Sequence, residues 1–196
     1  MIKVEEINEQ FTLSKKKTIS GSRRLAREKV LQILMSTDTS EISWQENFSH
    51  IFFRKFNFGD NEEKSEKILT EDEVTELESD IPIIWDDEEI EFARSLIKLT
   101  LDNREKINNL IQQHTANWHL DRIAKIDILL MQIAITEILH FEEIPTKVSI
   151  NEAIDIAKKY STPKSGNFIN GILDSIFVDL KNENLIKKSG RGLIDN

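Results

Sequence analysis

The sequence predicts an all-α protein, and three observations carry that expectation. Apolar residues recur at steps of three and four along most of the chain. Helix punctuation stands at the matching boundaries, and no stretch shows the period-2 alternation of a half-buried strand. At 196 residues the chain suits one domain, or two small lobes sharing an interface, and can bury a sizeable core. It contains no internal repeat.

Residues 1–20 are polar and end near Lys15-Lys16-Lys17, and they read as a flexible, basic-ended tail. A first helix follows from Ser22 to Met35. Ala26, Val30, Ile33 and Leu34 share one of its faces, and Arg23, Arg24 and Arg27 fall within an arc of about 100° beside it. A second helix runs through Trp44, Phe48, Ile51, Phe52 and Phe56. Residues 57–80 are polar and acidic and read as a loop. Asp86-Asp87-Glu88-Glu89 favours a helix N-terminus through the macrodipole. Ile90, Ala93, Leu96, Ile97 and Leu101 continue that helix, and Ile107 and Leu110 extend its stripe.

From Leu120 to Phe141 apolar residues cover nearly every face, the mark of a helix buried among others. Two start signals compete for the next helix: Pro145, suited to a first turn, and the capping-box pair Ser149 and Glu152. Val148, Ile150, Ala153, Ile154, Ala157 and Tyr160 then keep helical spacing until Pro163. In the last helix Phe168, Ile169, Ile172, Leu173, Ile176, Phe177 and Leu180 form a stripe. Gly171 interrupts it at a cost of about 1 kcal/mol relative to Ala, which predicts close helix approach there.

Composition narrows the function. There is no cysteine, so disulfides, thiolate metal sites and cysteine nucleophiles are excluded. No secretory signal opens the chain, and its longest uncharged run in the most apolar region, Ile128 to Thr136, is nine residues. A membrane span needs about 20, so the expectation is a soluble, cytoplasmic protein without membrane contact. His50, His114, His119 and His140 lack metal-ligand spacing. Gly166 to Gly171 lacks the Lys-Ser/Thr of a phosphate loop, and no nucleophile elbow or dinucleotide turn occurs. The chain is expected to be no enzyme, with no catalytic residue, metal or cofactor.

The net charge of −9 is unevenly spread. Between Asp60 and Glu91 stand fifteen acids and two lysines, a local −13, so the remainder sums to +4. From Lys15 to Lys29 there are seven basic side chains and one acid, Glu28. A phosphate backbone responds to local potential, screened over about 8 Å at physiological salt, so the patch outweighs the total. Such a cluster is commonly just a solvated helix face. Three guanidiniums on one arc can also hold phosphate oxygens bidentately. Farther along, Lys164, Asn167 and Phe168 gather a cation, an amide and a ring at a helix start, a place suited to phosphate and to an unpaired base. Phe168 has an equal claim to the core. Asp127 lies in the buried helix and needs a partner, either Arg122 or Lys125 or another protein.

Several of these residues form a known pattern. Lys147-Val148 after the Ile-Pro turn, Ile150-Asn151-Glu152-Ala153, Ala157-Lys158 and Phe168-Ile169-Asn170-Gly171-Ile172-Leu173-Asp174 resemble the C-terminal signature of the NusB family of bacterial transcription antitermination factors. Arg23-Arg24-Leu25-Ala26-Arg27-Glu28 resembles that family's arginine-rich first helix, with Leu25 and Met35 where an arginine and an aromatic are usual. The resemblance covers about 20–181 and is poor between about 38 and 90.

It implies two packed helical lobes at 21–181, an N-terminal one over about 21–80 and a C-terminal one over about 86–181, then a tail at 182–196. It also implies binding of boxA-type single-stranded RNA from ribosomal RNA leaders through Arg23, Arg24 and Arg27, with Lys164, Asn167 and Phe168 as a second contact. Asp127 would lie toward NusE, a small-subunit ribosomal protein, within an RNA polymerase antitermination complex. A homodimer of the free protein stays open. So do two other readings, an RNA-binding accessory module of ribosomal RNA modification or maturation, and a helical adaptor for proteins only.

Overall fold

The computed structural model describes residues 19–53, 82–115 and 119–194. The expected tail up to residue 18, the end of the second helix at Phe56 and the acidic loop at 57–80 lie outside them. Seven α-helices stand among the described residues: α1 (Arg23–Thr39), α2 (Trp44–Phe52), α3 (Asp87–Asp102), α4 (Arg104–His114), α5 (Lys125–His140), α6 (Thr146–Tyr160) and α7 (Ser165–Asn182). One departure from all-α is a minimal parallel pair, β1 (Ile19–Ser20) and β2 (Ile83–Ile84), with Ile19 opposite Ile83. Residues 19 and 20 therefore belong to the fold and not to the tail. A strand of two residues carries too little alternation to be read from sequence.

Local chemistry sets the helix starts. Ser22 caps α1 by accepting from the Leu25 amide at 3.1 Å. Ser43 with Glu46 and Asp86 with Glu89 form reciprocal capping boxes at α2 and α3. Asn103 ends α3 and begins α4, its amide donating to the Leu99 carbonyl at 2.9 Å. The stripe through Ile107 and Leu110 thus belongs to a separate helix. Helix α6 starts from Pro145. The competing Ser149–Glu152 signal is not used as a cap, because Ser149 donates to Glu137 and Glu152 faces Arg27.

Helix α5 is the hub. Every residue from Asp127 to Ile138 is buried, as its all-round apolar pattern requires. It packs against α1, α3, α4, α6 and α7. Helix α3 packs on both α1 and α5. An aromatic cluster of Trp44, Phe48, Phe52 and Trp85 ties α2 to the segment before α3, with Phe48 and Phe52 stacked at 4.5 Å.

Gly171 is exposed, and a Cβ built on it would meet nothing within 4 Å. This corrects the expectation of close approach, because the apolar stripe of α7 passes beside Gly171. The buried glycine of α7 is Gly166, whose added Cβ would lie 3.4 Å from Ile154 Cγ2 on α6.

After α7 the chain turns back over the end of α5. Lys188 Nζ donates to the Phe141 carbonyl at 2.9 Å and to that of Glu137 at 3.3 Å, and the Ser189 amide donates to the Glu142 carbonyl at 3.0 Å. Gly192 lies so close that an added Cβ would sit 1.8 Å from the Glu142 carbonyl oxygen. The described part of the C-terminal tail is a strap. No described helix is long and apolar enough to cross a membrane.

Candidate nucleic-acid interface

The first turn of α1 divides the three arginines by fate. Arg23 and Arg24 keep 42% and 52% of their side-chain surface exposed. Each meets one carboxylate loosely, at 3.5 Å: Glu143 for Arg23 and Asp155 for Arg24. Exposed pairs of this kind are worth about 0–1 kcal/mol, so a phosphate can displace them.

Arg27 is different, and the structure corrects its assignment to RNA. It is 4% exposed, and its Nε and Nη2 donate to Glu137 Oε1 and Oε2 at 2.5 and 2.8 Å. Glu152 lies 3.8 Å away, and the guanidinium stands 5.1 Å from the Phe92 ring centre. Burial alone would lower the Arg27 pKa, but the attraction and hydrogen bonds of Glu137 outweigh it and raise it. Arg27 ties α1 to α5 and α6. The helical arc placed it beside Arg23 and Arg24, but Arg27 sits where α1 packs on α5.

The start of α7 gathers a second set. Lys164 and Asn167 are exposed, and Phe168 is half-buried, packed against the core along part of its ring. Lys164 and Phe168 line a surface pocket of about 330 Å³ together with Arg122, Asp127 and Thr162. Asp127, only 5% exposed, is satisfied by two hydroxyls, Ser161 Oγ at 2.6 Å and Ser165 Oγ at 2.7 Å. Neither Arg122 nor Lys125 is its ion partner, and Lys125 instead pairs with Asp38 at 2.6 Å. The pocket brings together the residue expected to face a protein and two expected to face RNA.

Between the two sets lies the end of α6. Asp155, which holds Arg24, also accepts from Lys158 Nζ at 2.9 Å. Lys159 donates to Glu28 of α1 at 2.8 Å, and Tyr160 donates to the same oxygen at 2.6 Å. Burial alone would raise the Glu28 pKa, but these two hydrogen bonds hold it below its ordinary value. Sequence reasoning missed Lys158 and Lys159 as site candidates, although Lys158 stood inside the signature. Among the described residues no group of His, Asp and Glu could hold a metal ion.

The NusB family model matches residues 24–177. This chain belongs to the NusB family. A NusB transcription antitermination protein of Salinibacter ruber is 38% identical over 174 residues, covering 89% of this chain and 92% of that protein. The NusB of Chloroherpeton thalassium is 49% identical over 105 residues, 54% of this chain and 50% of its own. Solved structures share the fold. NusB from T. maritima aligns with a TM-score of 0.58 and 27% identity over 81% of this chain and 92% of its own. A NusB in complex with NusE and double-stranded RNA aligns with a TM-score of 0.57 and 20% identity, over 80% and 96%. NusB family membership matches the resemblance drawn from the two sequence motifs.

Proposed function

We propose that this NusB-family protein is an RNA-binding transcription antitermination factor. It binds boxA-type single-stranded RNA of ribosomal RNA leaders together with NusE, in the RNA polymerase antitermination complex. It acts by binding and carries out no chemistry. The observation that carries this reading is the near full-length likeness to the Salinibacter ruber antitermination protein. The geometry supports it with Arg23 and Arg24 loosely paired on one helix and Lys164, Asn167 and Phe168 exposed or half-exposed at another. A related fold is seen with NusE and RNA together, which supports both partners. Asp127, lining the pocket beside Lys164 and Phe168, is the residue proposed to face NusE. The protein is proposed to work in the cytoplasm, where nascent leader RNA is made.

The test is a titration of boxA RNA against the full chain, with and without NusE, across a salt series. Binding that tightens with NusE and weakens steeply with salt is expected. Binding to NusE with none to RNA would leave a protein-only adaptor.

A further inference from the structure

We infer that a bound RNA backbone leaves the arginine helix across the last turn of α6, where Lys158 and Lys159 make a third cationic contact. This rests on the RNA-binding reading above and adds the path of the strand between its two contacts.

Charge on the two sides of Arg23 and Arg24 gives the path its direction. On one side Arg23 opens onto a hollow shared with Asp87, Glu88, Glu91 and Glu143. Four carboxylates there repel a polyanion within the screening distance of about 8 Å. On the other side Arg24 reaches, through the single carboxylate of Asp155, to Lys158. Lys158 and Lys159 keep 66% and 60% of their side-chain surface exposed.

The route then continues toward the start of α7. A Cβ at Gly166 would lie 3.8 Å from Lys158 Cγ, so the stem of Lys158 runs along the first turn of α7. Lys164 stands two residues before that glycine, at the N-cap of α7, and lines the pocket with Phe168. Cations from α1, α6 and α7 therefore follow one another on a single surface. Asp155 pairs with two of them, Arg24 and Lys158. A phosphate that displaces Asp155 meets both donors already gathered. The bases of a strand so held face outward until Phe168 offers its ring.

Cations in a last helical turn also complement the helix dipole, so stability must be read beside binding. The experiment is a salt series with single-stranded boxA RNA and the full chain, comparing wild type, Lys158→Gln, Lys158→Gln/Lys159→Gln and Arg23→Ala/Arg24→Ala. Each single-strand phosphate contact contributes about 0.7 to the slope of log affinity against log salt. The double lysine variant is expected to lose about 1.4 from that slope, equally for different RNA sequences, because phosphate carries no sequence information. Lys159→Gln removes a partner of Glu28 and can lower the melting temperature. Lys158→Gln loses only an exposed pair, and its own fall of about 0.7 keeps the test decisive. An unchanged slope in both lysine variants, with a reduced one in the arginine variant, overturns this route and leaves the RNA-binding reading standing. No binding by wild type at any salt overturns both.

Discussion

Arg27 and Glu137 grip each other through two parallel hydrogen bonds, 2.5 and 2.8 Å long, in a place almost closed to water. Ser149 adds a third hydrogen bond to Glu137 at 3.0 Å, so one buried carboxylate joins α1, α5 and α6. Removing one member of a buried pair strands the other. Glu137→Ala is expected to cost about 3–5 kcal/mol in chemical denaturation. Arg27→Met/Glu137→Leu should recover most of that loss, since apolar replacement of both partners is often neutral. The folded double variant should keep the wild-type salt slope for RNA. A slope reduced by one phosphate contact would return Arg27 to the RNA-binding set.

Arg23 and Arg24 should behave as the reverse of Arg27. Arg23→Ala/Arg24→Ala is expected to flatten the salt slope by about 1.4 with little change in melting temperature, since both pairs are exposed. Glu143→Gln releases Arg23 from a competing carboxylate. RNA binding at low salt should tighten in that variant, and weaker binding would show that Glu143 aids the contact.

Phe168 divides its ring between core and surface. Phe168→Ala should lower RNA affinity by up to about 3 kcal/mol with the salt slope nearly constant, because stacking releases no counterions. Its melting temperature should fall only a few degrees. Normal RNA binding in a variant that melts much lower would assign the ring wholly to packing.

The glycines offer a contrast that melting experiments can read. Gly171→Ala fills empty space on an exposed helix and should stabilise by up to about 1 kcal/mol. In a protein of this size that raises the melting temperature by about 2–4 °C. Gly192→Ala places a Cβ on the Glu142 carbonyl oxygen, so the strap must lift away. Limited proteolysis near Lys187 and Lys188 should then accelerate. Unchanged cleavage would show that the strap holds without that close fit.

Acid should loosen the α1 contacts in a defined window. Burial pushes the Asp38 carboxyl up, but Lys125 and Arg104 outweigh it and hold the pKa below the ordinary 3.8. Glu28 is likewise held below its ordinary 4.5. A carboxylate with a depressed folded pKa stabilises above its unfolded value and loses that contribution as pH falls through the folded one. Stability should therefore be level from neutrality down to about pH 5 and decline below about 4. Asp38→Asn should flatten that decline, and a decline of unchanged steepness would exclude Asp38 from it.

The sequence by itself determined the helical class, the family and the two surface motifs, though it ran α3 and α4 together. Those features are local. Ser22 and the acids from Asp86 to Glu89 open α1 and α3, Pro163 follows the end of α6, and the all-round apolar pattern of α5 marks the hub whatever packs on it. Only the tertiary structure decided which members of a motif are free to bind. Arg23 and Arg27 occupy almost the same arc of α1, yet one meets water and the other meets Glu137, because that carboxylate lies 110 residues away on α5. For the same reason Gly171 lies free where the stripe predicted contact, and Lys158 gains its place beside Arg24 through Asp155. Periodicity fixes a residue's angle on its own helix. Which neighbour covers that angle depends on how the helices cross, and no local spacing records it.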